Sequence, residues 1–401
     1  TMKTTSYFEF THRPEVRSGA GSHILVPDLI QGLGGKRPIL FSDKGLTDAG
    51  LTQKIKSLFD MVPGIKLAGV FDDIQQDAKS SNINNGVKYF KECNADSIIA
   101  IGGGSVLDTA KTVKWCLNRG VNQVEYVLTG NVLEVWPEAQ PLGIPHVSIP
   151  TTAGTGAEIS TISVVFNELL NVKCNLMNPY LCSDIAVLDP DLTVGLPPKV
   201  TAFTGMDALT HAVEGFFSTK ATNFSDAFAL HAAKIIVENI TTAVHEGKNV
   251  AARANMLQAS AMAITAFQSA MANIPIHNLA HTFGAKYGIP HGLANAVLMP
   301  SVLKNMPSMY LPKINAFAPA LGVVPNAENP QETLEQCINV INELREAVNL
   351  PASFDEFNID AAHIPQLVPA VQGDPSALSF RIPDDIIVKV SQEVISTKVS
   401  I

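Results

Sequence analysis

The chain has 401 residues, 46% of them hydrophobic and only 16% charged, with a mean hydropathy of +0.18 and a net charge of −9. That length suits two domains, and so apolar a chain buries much of itself, in part at subunit contacts, so a homo-oligomer (dimer or higher) is expected. An acidic balance without a Lys/Arg cluster excludes the usual surfaces for nucleic acid or anionic membrane.

Five cysteines, an odd number with no CxxC spacing, read as thiols of a reducing compartment. The opening Thr1–Tyr7 has no apolar signal-peptide region, and a cytoplasmic, soluble protein is expected.

In chain order, residues 37–42 (Arg-Pro-Ile-Leu-Phe-Ser) form an apolar run closed by Asp43 and Gly45, which predicts a buried strand. Leu46 to Asp60 has helical spacing, Lys66 to Phe71 reads as a strand, and Ser81 to Cys93 as a helix. Ser97-Ile-Ile-Ala-Ile101 is the clearest strand. It runs into Gly102-Gly103-Gly104-Ser105 and then a helical pattern from Val106 to Leu117. Val147-Ser148-Ile149 is a further strand, ending at Pro150. Strands alternating with helices predict a parallel, doubly wound α/β sheet.

From Pro197-Pro198 onward, alanine-rich helical patterns such as Asp226–Asn239 and Arg253–Ala272 replace strands. We therefore expect an α/β domain over residues 1–195 and an all-helical domain over 196–401. The uncharged stretch from Ala254 to Ala280 carries polar groups from Asn255 to His277, so it reads as one helix buried in protein, not a membrane span.

Two loops carry phosphate-binding chemistry. Gly103, Gly104 and Ser105 stand between a strand and a helix, where glycines admit close approach and the helix start offers free N–H groups. This is neither a GxGxxG nor a Walker A pattern, and alone it is often only a turn. A second small-residue loop, Pro150-Thr-Thr-Ala-Gly-Thr-Gly-Ala-Glu158, follows another strand. Two such loops at strand ends point to a phosphate-bearing cofactor.

The second half carries metal-binding chemistry. Asp207 and His211 are four apart, as are His277 and His281, so each pair projects from one helical face. His291 follows Gly288 and Pro290, which end a helix and return the chain as a loop. Any one of these histidines is more often a hydrogen-bonded core residue. Together, set among Ala, Leu and Phe, they need partners that a divalent cation would supply. Spacing does not distinguish His277 from His281 as the donor.

These motifs resemble those of the iron-containing (group III) alcohol dehydrogenases. Four carry the resemblance: Gly102-Gly-Gly-Ser-Val-Leu-Asp-Thr-Ala-Lys111, Pro150 to Glu158, Asp184-Ile-Ala-Val-Leu-Asp-Pro190 running on through Gly205-Met-Asp-Ala-Leu-Thr-His211, and His277 to His291. The resemblance covers the chain from about Phe10 to Arg381-Ile-Pro-Asp-Asp-Ile. It implies a Rossmann-like N-terminal domain and an all-helical C-terminal domain in a dehydroquinate synthase-like architecture, with the active site in the cleft between them. It also implies one divalent ion, expected to be Fe(II) with Zn, Ni or Co as alternatives, held by Asp207, His211, His277 and His291. His281 would then lie near substrate and relay a proton. For NAD, the resemblance implies Gly103, Gly104 and Ser105 at the pyrophosphate and Thr151, Thr152 and Thr155 beside it. Lys173 would approach the nicotinamide ribose and Asp43 the adenosine ribose.

Three departures stand out. Gln76-Asp77-Ala78 replaces a common Pro-Asn-Pro, leaving the part of Asp77 open. Ala272-Asn-Ile-Pro-Ile276 precedes His277 where Leu-Gly-Ile-Val is usual, so that helix is expected to begin anew at Pro275. Ser379-Phe380-Arg381 replaces Asn-Pro-Arg. The implied activity is NAD-linked, metal-dependent interconversion of an alcohol and an aldehyde or ketone, without indication of which. Alternatives on the same scaffold are a hydroxyacid–oxoacid transhydrogenase and a zinc polyol or glycerol-type dehydrogenase. A lyase of dehydroquinate-synthase type would need cationic side chains for a phosphorylated substrate, which are few near these motifs. A non-catalytic binding protein is disfavoured by the intact motifs.

Overall fold

The computed structural model describes residues 6–396. Thr1–Thr5, part of the opening stretch read for a leader, lie outside that range. The chain forms two compact units. One comprises His12–Thr152 and Gly156–Gly195; the other comprises Leu196 onward with Ala153–Thr155 and the described residues before His12.

The first unit holds nine strands: β1 (Glu15–Ser18), β2 (Pro38–Phe41), β3 (Gly69–Phe71), β4 (Ser97–Gly102), β5 (Val132–Leu133), β6 (His146–Pro150), β7 (Ile162–Asn167), β8 (Val172–Met177) and β9 (Ile185–Leu188). Six of them form a parallel sheet in the order β1-β9-β6-β4-β2-β3. Five α-helices accompany the sheet: α1 (Val26–Gly32), α2 (Lys44–Asp48), α3 (Leu51–Lys56), α4 (Ser80–Glu92) and α5 (Gly104–Arg119).

The four inner strands β2, β4, β6 and β9 are buried along their whole length, as strands covered on both faces require. Alternation sorts their side chains: Ile39, Phe41, Ile98 and Ala100 share one core with α4 and α5, while Leu40, Ile99, Ile101 and Val147 share the other with α1. Gly102 pairs with Pro150 at the ends of β4 and β6, so the loops that follow leave the sheet side by side.

Three elements differ from the sequence reading. The helix expected over Leu46–Asp60 is α2 and α3, separated by Gly50 at φ 84. The edge strand β1 escapes a hydrophobicity pattern because all four of its residues are exposed. The antiparallel hairpin β7–β8, extended by β5 into a second sheet, was not predicted either; Asn171 turns it at φ 54.

In the second unit, α6 (Pro198–Phe216), α7 (Asn223–His245) and α8 (Val250–Ser269) pack on one another through small and apolar residues such as Ala212, Ala233 and Ala259. Small side chains at these contacts let the helices approach closely. Then come α9 (Pro275–Tyr287), α10 (His291–Asn305), α11 (Pro307–Tyr310), α12 (Ile314–Phe317), α13 (Pro330–Ala347), α14 (Ile364–Gln372) and α15 (Asp384–Ile395).

The stretch read as one helix from Ala254 to Ala280 is thus two. α8 ends at Ser269, and Pro275, which has no N–H to donate, opens α9 as expected of it. Among the described residues α7 alone is long and apolar enough to cross a membrane by length and composition. Its Ala229, Ala232, Ile236 and Ile240 are fully buried in the helical core, and its Asp226 pairs with Lys313. A helix of a protein core explains both observations.

Candidate active site

Three of the four predicted donors meet around an oxygen of the fourth. Asp207 and His211 lie one turn apart on α6, and His277 is in the first turn of α9. His291 was expected on a loop, but it is the first residue of α10. The Nε2 atoms of His211, His277 and His291 stand 3.7, 3.5 and 3.2 Å from Asp207 Oδ1. Asp207, His211 and His277 are all buried, with ligand atoms within 4.8 Å of one another.

His291 is brought there by a close backbone approach. A Cβ on Gly292 would lie 2.0 Å from the carbonyl oxygen of Phe203, one turn before Asp207 on α6. Only glycine lets α10 begin so close to α6.

Charge follows position. Burial alone would raise the Asp207 carboxyl, but His211, His291 and His277 hold it well below the usual carboxylate range. Burial lowers His211 to about 3, against the pull of Asp207, so this ring is neutral at pH 7. Burial also opposes a charge on His277, yet the nearby Asp207 carboxylate and the Glu214 carboxylate bonded to Nδ1 push it up to about 9.

His277 Nε2 is buried, makes no hydrogen bond, and faces an anionic oxygen. A lone pair opposite a carboxylate is unfavourable unless a proton or a cation lies between them. One carboxylate and three imidazoles suit a divalent transition ion, so the residues present fit a metal.

Sequence reasoning missed three residues here. Glu214, on α6, accepts from His277 Nδ1 at 2.7 Å and from the backbone N–H groups of His277 and Ile276 at 2.8 and 3.2 Å. Asn295, one turn beyond His291, donates Nδ2–H to Asp207 Oδ1 at 2.9 Å. Asp374 Oδ2 lies 3.1 Å from His281 Nδ1. Glu214 had a signal, a carboxylate seven residues after Asp207 on the same helical side; Asn295 had the same four-residue spacing from His291; Asp374 had none. The His281 ring stacks with His291 at 5.8 Å and meets His277 at 6.2 Å between centroids. Phe267 packs on the rings of His211 and His277.

In the first unit, Asp43, Asp73, Gly103, Gly104 and Ser105 line a cavity of ≈ 810 Å³. It opens beyond the C-terminal ends of β2, β3 and β4, where open α/β sheets bind ligands. Gly103 caps α5, and the first residues of that helix, Gly104, Ser105 and Val106, also line the cavity. Asp43 also caps α2, accepting from Leu46 N at 2.8 Å. Thr151 follows β6, and Thr152 Cγ2 would be 3.6 Å from a Cβ on Gly103. Thr155 belongs to the short segment grouped with the helices. Lys173, on β8, pairs with Asp77 at 3.2 Å, and the Asp77 N–H donates to Ser105 Oγ at 3.0 Å. Asp77 holds φ 77, a strained value for a non-glycine residue.

Sequence comparison places the chain in a known class. The profile of iron-containing alcohol dehydrogenases matches residues 14–190, and that of the Fe-containing alcohol dehydrogenase family C-terminal region matches residues 201–388. The chain is 33% identical over 371 residues to the 1-propanol dehydrogenase PduQ of Citrobacter freundii, covering 91% of this chain and 93% of that one. It is 31% identical over 364 residues to the 1,3-propanediol dehydrogenase of Klebsiella pneumoniae, covering 90% and 91%. A solved 1,3-propanediol oxidoreductase superposes with a TM-score of 0.88 at 29% identity over 96% of this chain and 99% of that one.

The chain belongs to the iron-containing alcohol dehydrogenase family, and its fold is the dehydroquinate synthase-like one. It is an alcohol oxidoreductase of the NAD-linked, divalent-metal type.

Proposed function

We propose that this enzyme interconverts a small uncharged aliphatic alcohol and its aldehyde, with NAD, at a metal held by Asp207, His211, His277 and His291. The observation that carries the reading is the convergence of three imidazole Nε2 atoms on Asp207 Oδ1, with His277 Nε2 buried and otherwise unbonded. When bound, a divalent cation there supplies Lewis acidity toward the substrate hydroxyl and NAD supplies the hydride acceptor, so alcohol and NAD⁺ give aldehyde, NADH and a proton.

The chain's own residues have three tasks. Asp207 contributes the negative charge that retains the ion, and His211 serves as a neutral donor. His281, tied through Nδ1 to Asp374, keeps Nε2 free to exchange the hydroxyl proton with solvent. Phe267 offers an apolar face against His211 and His277, which favours small uncharged substrates. The names of the 1-propanol and 1,3-propanediol dehydrogenase relatives favour the same class.

For the cofactor we assign Gly103, Gly104 and Ser105 to the pyrophosphate, with Thr151, Thr152 and Thr155 beside it, Asp43 to the adenosine ribose and Lys173 to the nicotinamide ribose. The cavity's carboxylates, Asp43 and Asp73, favour a ribose 2′-hydroxyl over a 2′-phosphate. We further assign Fe(II) as the ion, a homo-oligomeric state and a cytoplasmic setting.

Steady-state rates over primary alcohols, diols and hydroxyacids, with metal content measured on the same sample, test the reading. The highest kcat/KM is expected for small primary alcohols or diols, with activity tracking metal content. A preference for hydroxyacids, or hydride transfer from a hydroxyacid to an oxoacid without added NAD, would overturn it in favour of a transhydrogenase.

A further inference from the structure

We infer that Glu214 is a positioning residue that locks His277 to the other metal donors, so that α6 supplies two donors and fixes the orientation of a third. The inference rests on the metal-site reading above and concerns how that site is built.

Glu214 follows His211 by three residues and Asp207 by seven, so the three side chains share one side of α6. It is 3% exposed, and a carboxylate so buried is costly unless every lone pair finds a donor. Its partners come from the opening turn of α9. Pro275 has no N–H, so the first donors available there are those of Ile276 and His277, and Glu214 takes both. These are helix-start N–H groups with no partner within the helix, and a negative charge suits the positive end of the helix dipole. The third donor is the His277 ring itself, through Nδ1 at 2.7 Å.

A single carboxylate thereby fixes both the backbone that carries the ligand and the rotation of its ring. With the Nδ1 hydrogen directed to Glu214, the Nε2 lone pair is left facing Asp207 Oδ1 at 3.5 Å. The orienting partner of a ligating imidazole typically changes metal affinity by ten- to hundredfold when removed. Here the need is greater because α9 starts afresh after a break, with no preceding helical turn to hold His277 in place.

The test uses the full chain stripped of metal and reloaded with Co(II), with affinity read by chelator competition and ligand field by visible absorption. Glu214→Gln preserves volume but places an amide NH2 group where only an acceptor fits. It should bind Co(II) about ten- to hundredfold more weakly, with an altered visible spectrum and unchanged NAD affinity. In the double variant with His277→Ala, the effect of Glu214→Gln should vanish, because it acts through that ring. Binding within about twofold of the parent, with an unchanged spectrum, would overturn the inference. If instead His277→Ala itself binds Co(II) like the parent, His277 is no donor, and the metal-site reading and this inference fall together. Should Glu214→Gln not fold, Glu214→Asp keeps the charge but is one methylene short of its three donors. Parental affinity in that variant overturns the inference equally.

Discussion

The carboxylate of Asp374 lies 3.1 Å from His281 Nδ1 and is itself fixed by the N–H of Ser376 at 2.9 Å. An ionised carboxylate only accepts, so the imidazole hydrogen resides on Nδ1 and Nε2 is left to exchange protons. His277 has the same Nδ1-to-carboxylate arrangement, but its Nε2 faces Asp207. His281→Ala is therefore expected to keep its metal, with lowered turnover and a changed pH dependence. His277→Ala should lose metal and activity together. Metal content per subunit in the two purified variants decides the matter; the reverse pattern would exchange the two roles. Asp374→Asn should resemble His281→Ala in its pH profile while also keeping the metal.

That pair shows what was legible in the sequence. Spacing placed Asp207 with His211 and His277 with His281 on helical faces, because residues four apart share a face in any α-helix. It could not separate His277 from His281, which lie on the same face. What distinguishes their surroundings is Glu214, 63 positions from His277, and Asp374, 93 positions from His281. No local pattern carries such a relationship. The inner strands were legible for the opposite reason: β2 and β4 are buried on both faces and read as unbroken apolar runs. The edge strand β1, wholly exposed, offers no such run.

Asp43 should make the enzyme prefer NAD over NADP. Its carboxylate lines the cavity beyond β2 and β3 together with Asp73. Bringing a 2′-phosphate to such a site should cost about 1–3 kcal/mol, or roughly ten- to hundredfold in specificity. Asp43 also caps α2, but glycine at a cap position costs only a few tenths of a kcal/mol by comparison with aspartate, so Asp43→Gly should narrow the preference without unfolding. Asp43→Ser keeps a capping oxygen and serves as the matched control. Equal or better kcat/KM with NADP in the parent enzyme would refute the assignment.

Glu158 should make stability fall with rising pH. Its side chain is buried, and burial raises its carboxyl to about 7 from 4.5, with Lys111 nearby opposing the shift. The folded state thus holds a proton that the unfolded state has released between those two values. Its contribution to stability is fully present below about 4.5 and is lost as pH rises through about 7, a change of order 3 kcal/mol in total. Glu158→Gln removes the titration and keeps the shape. Its melting temperature relative to the parent should increase from pH 5 to pH 8. Parallel curves for the two proteins would mean that Glu158 ionises freely in the fold.

Gly292 acts through the side chain it lacks. A Cβ on Gly292 would sit 2.0 Å from the Phe203 carbonyl oxygen, and a backbone atom in the first half of α6 cannot step aside as a flexible side chain can. Gly292→Ala must therefore move the start of α10, at a cost of about 1–3 kcal/mol for forcing atoms into a packed contact. The residue before it is His291, whose Nε2 is 3.2 Å from Asp207 Oδ1, so a shift that relieves the clash is expected to displace this ring from the carboxylate. Metal affinity should fall along with the melting temperature. Gly288→Ala is the informative comparison: that glycine ends α9 at φ 66 with open space around it, so alanine there strains the backbone without pushing on α6. Its melting temperature should fall while its metal affinity stays near the parent value. If Gly292→Ala melts and binds metal like the parent, the close approach of α10 to α6 is not what sets His291 beside Asp207.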